Sequence, residues 1–250
     1  DIVQTEAGND KYSQNSYSFK GDDKAEVLIK VFGIPKENEK IFREKFQMAC
    51  GGSGQEYRRI TTLHSSSLCA LMFFYNVTEK NKLTIDEMGT FDKSVFEFRS
   101  RVVNKNQESC MDVVLTGIDK EGAPIVLFLE SKFSEDYTPS SLHSKGVSEK
   151  YLLNKYSKHF YEEEFLQELD LKMSKGKEGT FSLCSEEEYY IGGIKQMISH
   201  YVGIRNNLDG NFVVQKEEAQ QEVVDLIKAG AKVYLAEILF DDVIGDFMFK

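Results

Sequence analysis

The chain has 250 residues, 41% of them hydrophobic, and a formal net charge of -10, which suits one large domain with a sizeable core. No apolar run approaches the ~18 residues of a membrane-spanning helix, and the acidity argues against indiscriminate binding to nucleic acid, which runs on phosphate neutralisation. Four scattered cysteines (Cys50, Cys69, Cys110, Cys184) and four histidines argue against structural zinc and a disulfide framework, so any metal should be a hard, oxygen-bound ion.

Residues 1–23 are polar and aperiodic and read as a flexible N-terminal arm, with 24–250 as a single domain. The chain starts at Asp1 rather than Met, which leaves a removed signal peptide open. Residues 24–32 read as a short strand or the start of a helix. A helix is expected over 37–49, stopped by Gly51-Gly52-Ser53-Gly54, and another begins near Gln55. Residues 65–76 are apolar enough for a buried helix or a buried strand, and the pattern alone does not separate the two. Three strands follow, over 95–103, 109–118 and 124–133, joined by short polar connectors that favour hairpins. Their natural arrangement is an antiparallel meander. A helical insertion is expected over about 147–180, with a helix to about 170 and a Gly/Lys-rich loop over 174–180. Helices over about 186–207 and 216–229 lead to a last strand over 233–240, with Gly230 closing the second helix. The fold class is α/β (α+β), with a core order of helix, three strands, helix, strand.

The chemistry concentrates at the end of the third strand. Pro124-Ile125-Val126-Leu127-Phe128-Leu129 runs into Glu130-Ser131-Lys132, and a spacing of two on a strand puts Glu130 and Lys132 on one face. Upstream, Asp112 interrupts the apolar strand around Met111, Val113 and Val114, a place where an acid costs stability unless it has a partner or a task. A lone E-x-K arises by chance about once in a chain of this size. Here Glu130–Lys132 is the only one, and the two D-x-K triplets, Asp22–Lys24 and Asp170–Lys172, fall in the polar arm and at a helix end. Two carboxylates beside a lysine can hold Mg2+, with Mn2+ as the alternative, and serve phosphodiester hydrolysis. The Ser131 carbonyl is placed to be a further ligand. Lys132 would position the water and stabilise developing negative charge rather than act as a base, because neighbouring carboxylates favour its charged form.

This arrangement resembles the PD-(D/E)xK phosphodiesterase superfamily, the restriction-endonuclease-like nucleases. The resemblance assigns Asp112 to the acid of the second strand and Glu130 and Lys132 to the (D/E)xK pair; Met111 stands where the motif's Pro would be. Gly51-Gly52-Ser53-Gly54-Gln55-Glu56 followed by His64-Ser65-Ser66-Ser67-Leu68 is similar to an uncharacterised bacterial branch, which makes Glu56 the helix acid and a further metal ligand. Glu97, in the first strand, competes for that role. On the later helix, Gln196 answers to a Q-x-x-x-Y type motif that contacts substrate, with Tyr201 one position too far. Gly192, Gln196, Ser199 or His200, and Gly203 share a helical face that would let the helix approach the sheet closely. Tyr201 reads as a core residue with Ile194 and Ile198, and His200 as a weaker candidate than Gln196. His143 reads as an exposed loop histidine.

The resemblance implies a cytoplasmic, metal-dependent nuclease acting on DNA, with RNA left open, no membrane partner, and a homodimer compatible. An inactive nuclease fold serving as a nucleic-acid-binding or protein-interaction module is the alternative.

Overall fold

The computed structural model describes residues 2–4, 17–51, 55–62, 65–104, 107–132, 147–148, 171–175, 180–185 and 194–239. Two short strands, β1 (Ile2–Gln4) and β2 (Tyr17–Phe19), pair antiparallel within the segment read as an arm. The Phe19 amide donates to the Thr61 carbonyl at 3.0 Å, tying the segment to the domain. Residues 24–32 settle as helix α1 (Lys24–Phe32): Asp23 caps the first turn by accepting from the Glu26 amide, and Gly33 ends the last in the left-handed conformation. A 3-10 turn (Lys36–Asn38) leads into α2 (Glu39–Ala49), and α3 (Gln55–Arg59) is a short turn of helix.

The ambiguous segment is helix α4 (Ser66–Phe74). Ser65 accepts from the Leu68 amide at its N-terminus, and Leu68, Ala70 and Leu71 are buried while Phe73 is exposed.

The central sheet has the strand order β10-β6-β5-β4-β3. The expected meander is β4 (Gly89–Asn104), β5 (Gln107–Asp119) and β6 (Pro124–Lys132), and β10 (Lys232–Leu239) joins β6 in parallel. An added edge strand, β3 (Leu83–Ile85), pairs with β4. Central β6 is covered on both faces, which is why it reads as an unbroken apolar run rather than an alternating one.

Of the helical insertion expected over 147–180, residues 149–170 and 176–179 lie outside the described residues. The described parts are strands: β7 (Val147–Ser148), β8 (Leu171–Lys175) and β9 (Thr180–Ser185) form a separate antiparallel sheet. His143 and Gly192 also lie outside the described residues.

Two layers of helices flank the central sheet. On one side α1, α2 and α4 pack Leu28, Phe42, Phe46 and Leu71 against Phe96, Val113, Leu115, Leu127 and Leu129. On the other lie α5 (Ile194–Leu208) and α6 (Glu218–Lys228), where Ile204, Val223 and Ile227 meet Val95, Phe98, Met111, Val114 and Phe128. Helix α6 ends as the sequence suggests. Gly230 takes φ 88°, its amide donates to the Ile227 carbonyl, and the Ala231 amide donates to that of Leu226, the paired bonds of a Schellman close.

One irregularity in the sheet decides where the acids stand. Phe96 faces the first layer and Phe98 the second, although residues two apart on a regular strand share a face. Val113 and Met111, their partners on β5, are split in the same way. Glu97 and Asp112 sit at the switch, and Glu97 adopts φ 54°.

Candidate active site

The end of β6 carries three buried polar residues in a row: Glu130, Ser131 and Lys132 are 2%, 2% and 4% exposed. The strand alternation sends Glu130 and Lys132 toward α5, while the Ser131 amide donates to Asp112 Oδ2 at 2.8 Å across the β5–β6 pair. Lys132 Nζ donates to Glu130 Oε1 at 2.8 Å and to Gln196 Oε1 at 2.6 Å. Gln196 closes the ring by donating through Nε2 to Glu130 Oε1. Acid, lysine and glutamine are thus a closed triangle.

Helix α5 holds that triangle through an unusually close seat on the sheet. A Cβ at Gly203 would come 2.6 Å from Ser100 Cβ and 2.9 Å from Ser109 Oγ, so only glycine fits there. Further along, Asn206 donates to the Arg101 carbonyl and Asn207 to the Ser100 hydroxyl, at 2.7 and 3.0 Å. These bonds fix the height and rotation of the helix, and Gln196 and His200 lie on the same face at helical spacing.

His200 is the correction. It is 2% exposed, and its Nε2 lies 2.9 Å from Glu130 Oε2. Tyr201 is only half-buried. The helical period explains the placement: four residues on from Gln196 falls on the same face, five does not. The signal was the Gln-x-x-x-His spacing itself.

The acids form a second group beside the first. Phe96↔Val113, Phe98↔Met111 and Val113↔Leu129 fix the register, so Glu97, Asp112 and Glu130 lie abreast on three adjacent strands. Burial pushes the Asp112 carboxyl well above its ordinary value, and the Glu130 and Glu97 charges add to the shift against the Ser131 amide and Lys132. Glu97 is pushed up to about 7, first by burial, with the charges of Glu56 and Glu130 adding and the Cys110 and Arg99 contacts opposing. Glu130 goes the other way. Its burial raises the pKa, but His200 and Lys132 together outweigh it and hold the carboxyl below the usual range.

Glu56, the expected helix acid, stands at the margin. Ser67 Oγ donates to its Oε2 at 3.0 Å, and it is Glu97 that feels its charge. The structure therefore brings Asp112, Glu130, Ser131, Lys132 and Gln196 together, adds His200 and Glu97, and leaves Glu56 at the edge. Among the described residues, no three His, Cys, Asp or Glu side chains converge as a ready metal cage. Both oxygens of Glu130 are engaged by protein donors. The donors fit a hard divalent cation in kind, because they are carboxylate oxygens whose crowding disfavours full ionisation without a counter-charge.

A family model described as restriction endonuclease associating with ARP matches residues 9–235. The chain belongs to this family. That membership agrees with the restriction-endonuclease-like resemblance and with the mixed sheet flanked by helices. No curated protein and no solved structure matches the chain. No helix among the described residues is long and apolar enough to cross a membrane, in keeping with the hydropathy of the sequence.

Proposed function

We propose that this restriction-endonuclease family member is a metal-dependent nuclease of the PD-(D/E)xK type that hydrolyses DNA phosphodiester bonds. The observation that carries the reading is the buried Lys132–Glu130–Gln196 triangle set against Asp112. Burying a charged pair at the end of a strand is a poor way to stabilise a fold, because desolvation offsets most of the attraction. Shifted and crowded ionisable groups of this kind concentrate at functional sites.

Asp112 and Glu130, with the Ser131 carbonyl, are the groups to hold Mg2+ or Mn2+; Glu130 would exchange one of its protein donors for the ion. When bound, such an ion activates water and neutralises charge on the phosphate. Lys132 directs its ammonium to the reacting phosphate, orients the attacking water and stabilises charge as it develops. Gln196, which is exposed while bonded to both Lys132 and Glu130, fixes their separation and presents an amide to the substrate backbone. His200 keeps Glu130 from turning.

The test is cleavage of plasmid and linear DNA with Mg2+ or Mn2+. Wild type is expected to cut only with metal, and Lys132→Ala and Asp112→Ala to lose about 100- to 1,000-fold, as when a group that stabilises transition-state charge is deleted. Wild type that stays inert across metals and substrates, or variants that cut equally well, would sink it. A second reading draws on the fully engaged Glu130: a nuclease fold retained as a nucleic-acid-binding or interaction module. The family description names association with ARP, which is compatible with either reading.

A further inference from the structure

We propose that Arg99 binds the DNA backbone beside the reacting phosphate, taking a flanking phosphodiester on the side of the sheet that Lys132 does not reach. The proposal rests on the nuclease reading above; binding and cleavage are measured separately, so that either can fail alone.

Strand direction and register place the residue. β4 and β6 each run antiparallel to β5 and therefore run the same way. Arg99 lies two residues past Glu97 on β4, as Lys132 lies two past Glu130 on β6. Both cations therefore stand off the same end of the acid row, two strand spacings or about 10 Å apart. Their faces differ. From Phe98 to Arg101 the pairing with β5 is regular. Phe98 packs in the layer of α5 and α6, and Ser100 meets Asn207 and Gly203 of α5. By alternation Arg99 leaves the sheet on the opposite side. There Cys110 Sγ donates to Glu97 Oε2 at 2.9 Å, and a Cβ at Gly51 would stand 3.2 Å from the same oxygen. Lys132, bonded to Gln196, covers the α5 side. A cation thus stands at each flank of the acids.

The fold fixes the backbone of Arg99 and leaves its guanidinium in reserve. The carbonyl accepts from Gln215 Nε2 at 3.0 Å, and the neighbours Phe98 and Ser100 are fully buried. The side chain is 38% exposed, and its one ion pair among the described residues, with Glu108, spans 3.7 Å. That is too long for a hydrogen bond, and an exposed pair of this kind adds little to stability.

The chemistry of the site names the ligand. A phosphodiester approaching Glu97, Asp112 and Glu130 meets carboxylates, and a chain of net charge -10 supplies no general attraction to offset them. Cations at the site must do so. Arg99 is near enough for its charge to oppose the upward pKa shifts of Glu97 and Cys110. Its planar fork of donors matches two phosphate oxygens, where a lysine offers a point charge.

The experiment reads the Kd of the full chain for a short fluorescent DNA duplex, by anisotropy across a salt series without divalent metal. Mg2+-dependent cleavage kinetics over the same salts and thermal unfolding run beside it. Arg99→Gln should weaken binding about tenfold, as when one charge-assisted hydrogen-bonding group is lost, and should lower the salt slope by about one. In cleavage the loss should fall on KM more than on kcat. Arg99→Lys should keep the salt slope while recovering only part of the affinity. Glu108→Gln, which releases Arg99 from its protein carboxylate, should bind DNA as tightly as wild type or more so. If Arg99 serves only the ion pair, Arg99→Gln and Glu108→Gln will lower the unfolding temperature alike and leave Kd, KM and salt slope at wild-type values, which overturns the proposal. Wild type that binds the duplex without cutting would remove the nuclease reading, while the binding series still decides Arg99. Wild type that does neither overturns both.

Discussion

The two faces of the central sheet are built by different means. The layer of α1, α2 and α4 is joined through large apolar side chains, with Phe42 and Leu71 fully buried against the strands. The layer of α5 and α6 has an apolar patch as well, but its helices are also seated by directional bonds to strand backbone and hydroxyls, from Asn206, Asn207 and Gln220, with Gln215 of the connector between them adding another. Apolar packing tolerates small slides, because dispersion and burial have little direction. Hydrogen bonds to fixed carbonyls do not. The first layer holds the sheet together, and the second aims Gln196 and His200 at it.

The largest test of that division is Phe42→Ala. The ring is fully buried and lies 5.2 Å from Tyr75 and 6.4 Å from Phe46, centroid to centroid, so truncation should cost about 3–5 kcal/mol of stability in urea unfolding. Cleavage per folded molecule should stay near wild type. A loss of specific activity without loss of stability would show that the apolar layer also sets site geometry.

The converse is His200→Leu on the directional layer. It removes the donor that faces Glu130 Oε2 in a shape that still fills space. Activity should fall about 10–100-fold, the usual effect of deleting a group that orients a metal-site carboxylate, with a smaller change in unfolding midpoint than Phe42→Ala. His200→Gln can place an amide donor near the same point and should recover much of the loss. Equal activity in wild type and His200→Leu would mean that Glu130 needs no such anchor.

The same division governs what could be read in the sequence. The meander, the Glu130–Lys132 pair and the close seat of the Gly203 face were legible because each rests on a simple period: two for strands, 3.6 for helices. The face switch at Glu97 and Asp112 was not, since a left-handed residue inside a strand normally advertises itself as glycine, and here it is a glutamate held by Gln220 and Cys110 from afar. His200 was legible as a member of the Gln196–Gly203 face, but its partner Glu130 Oε2 was not, because nothing in the helical period says which strand residue that face meets. Edge strand β3 is three residues long, too short for an alternation to show.

A last, smaller test uses the charged group buried on the apolar side. Lys45 on α2 is buried and donates to the Ser94 carbonyl, unlike Lys132, which has a carboxylate beside it. Burial, helped by the nearby Lys93 charge and opposed by Glu44, pulls its pKa from 10.5 down to about 8. The folded value lies below the unfolded one, so the unfolded chain holds the proton more tightly. The penalty is full below pH 8 and is relieved as pH rises from 8 toward 10.5. Lys45→Met should therefore unfold later than wild type at pH 7, by roughly 1–2 kcal/mol once the lost bond to Ser94 is set against the gain. Its advantage should shrink across that alkaline window, because only wild type gains stability there. An advantage that stays flat with pH would mean that Lys45 is not charged at a cost in the fold, and that the apolar layer accommodates an ammonium as readily as the Glu130 side accommodates Lys132.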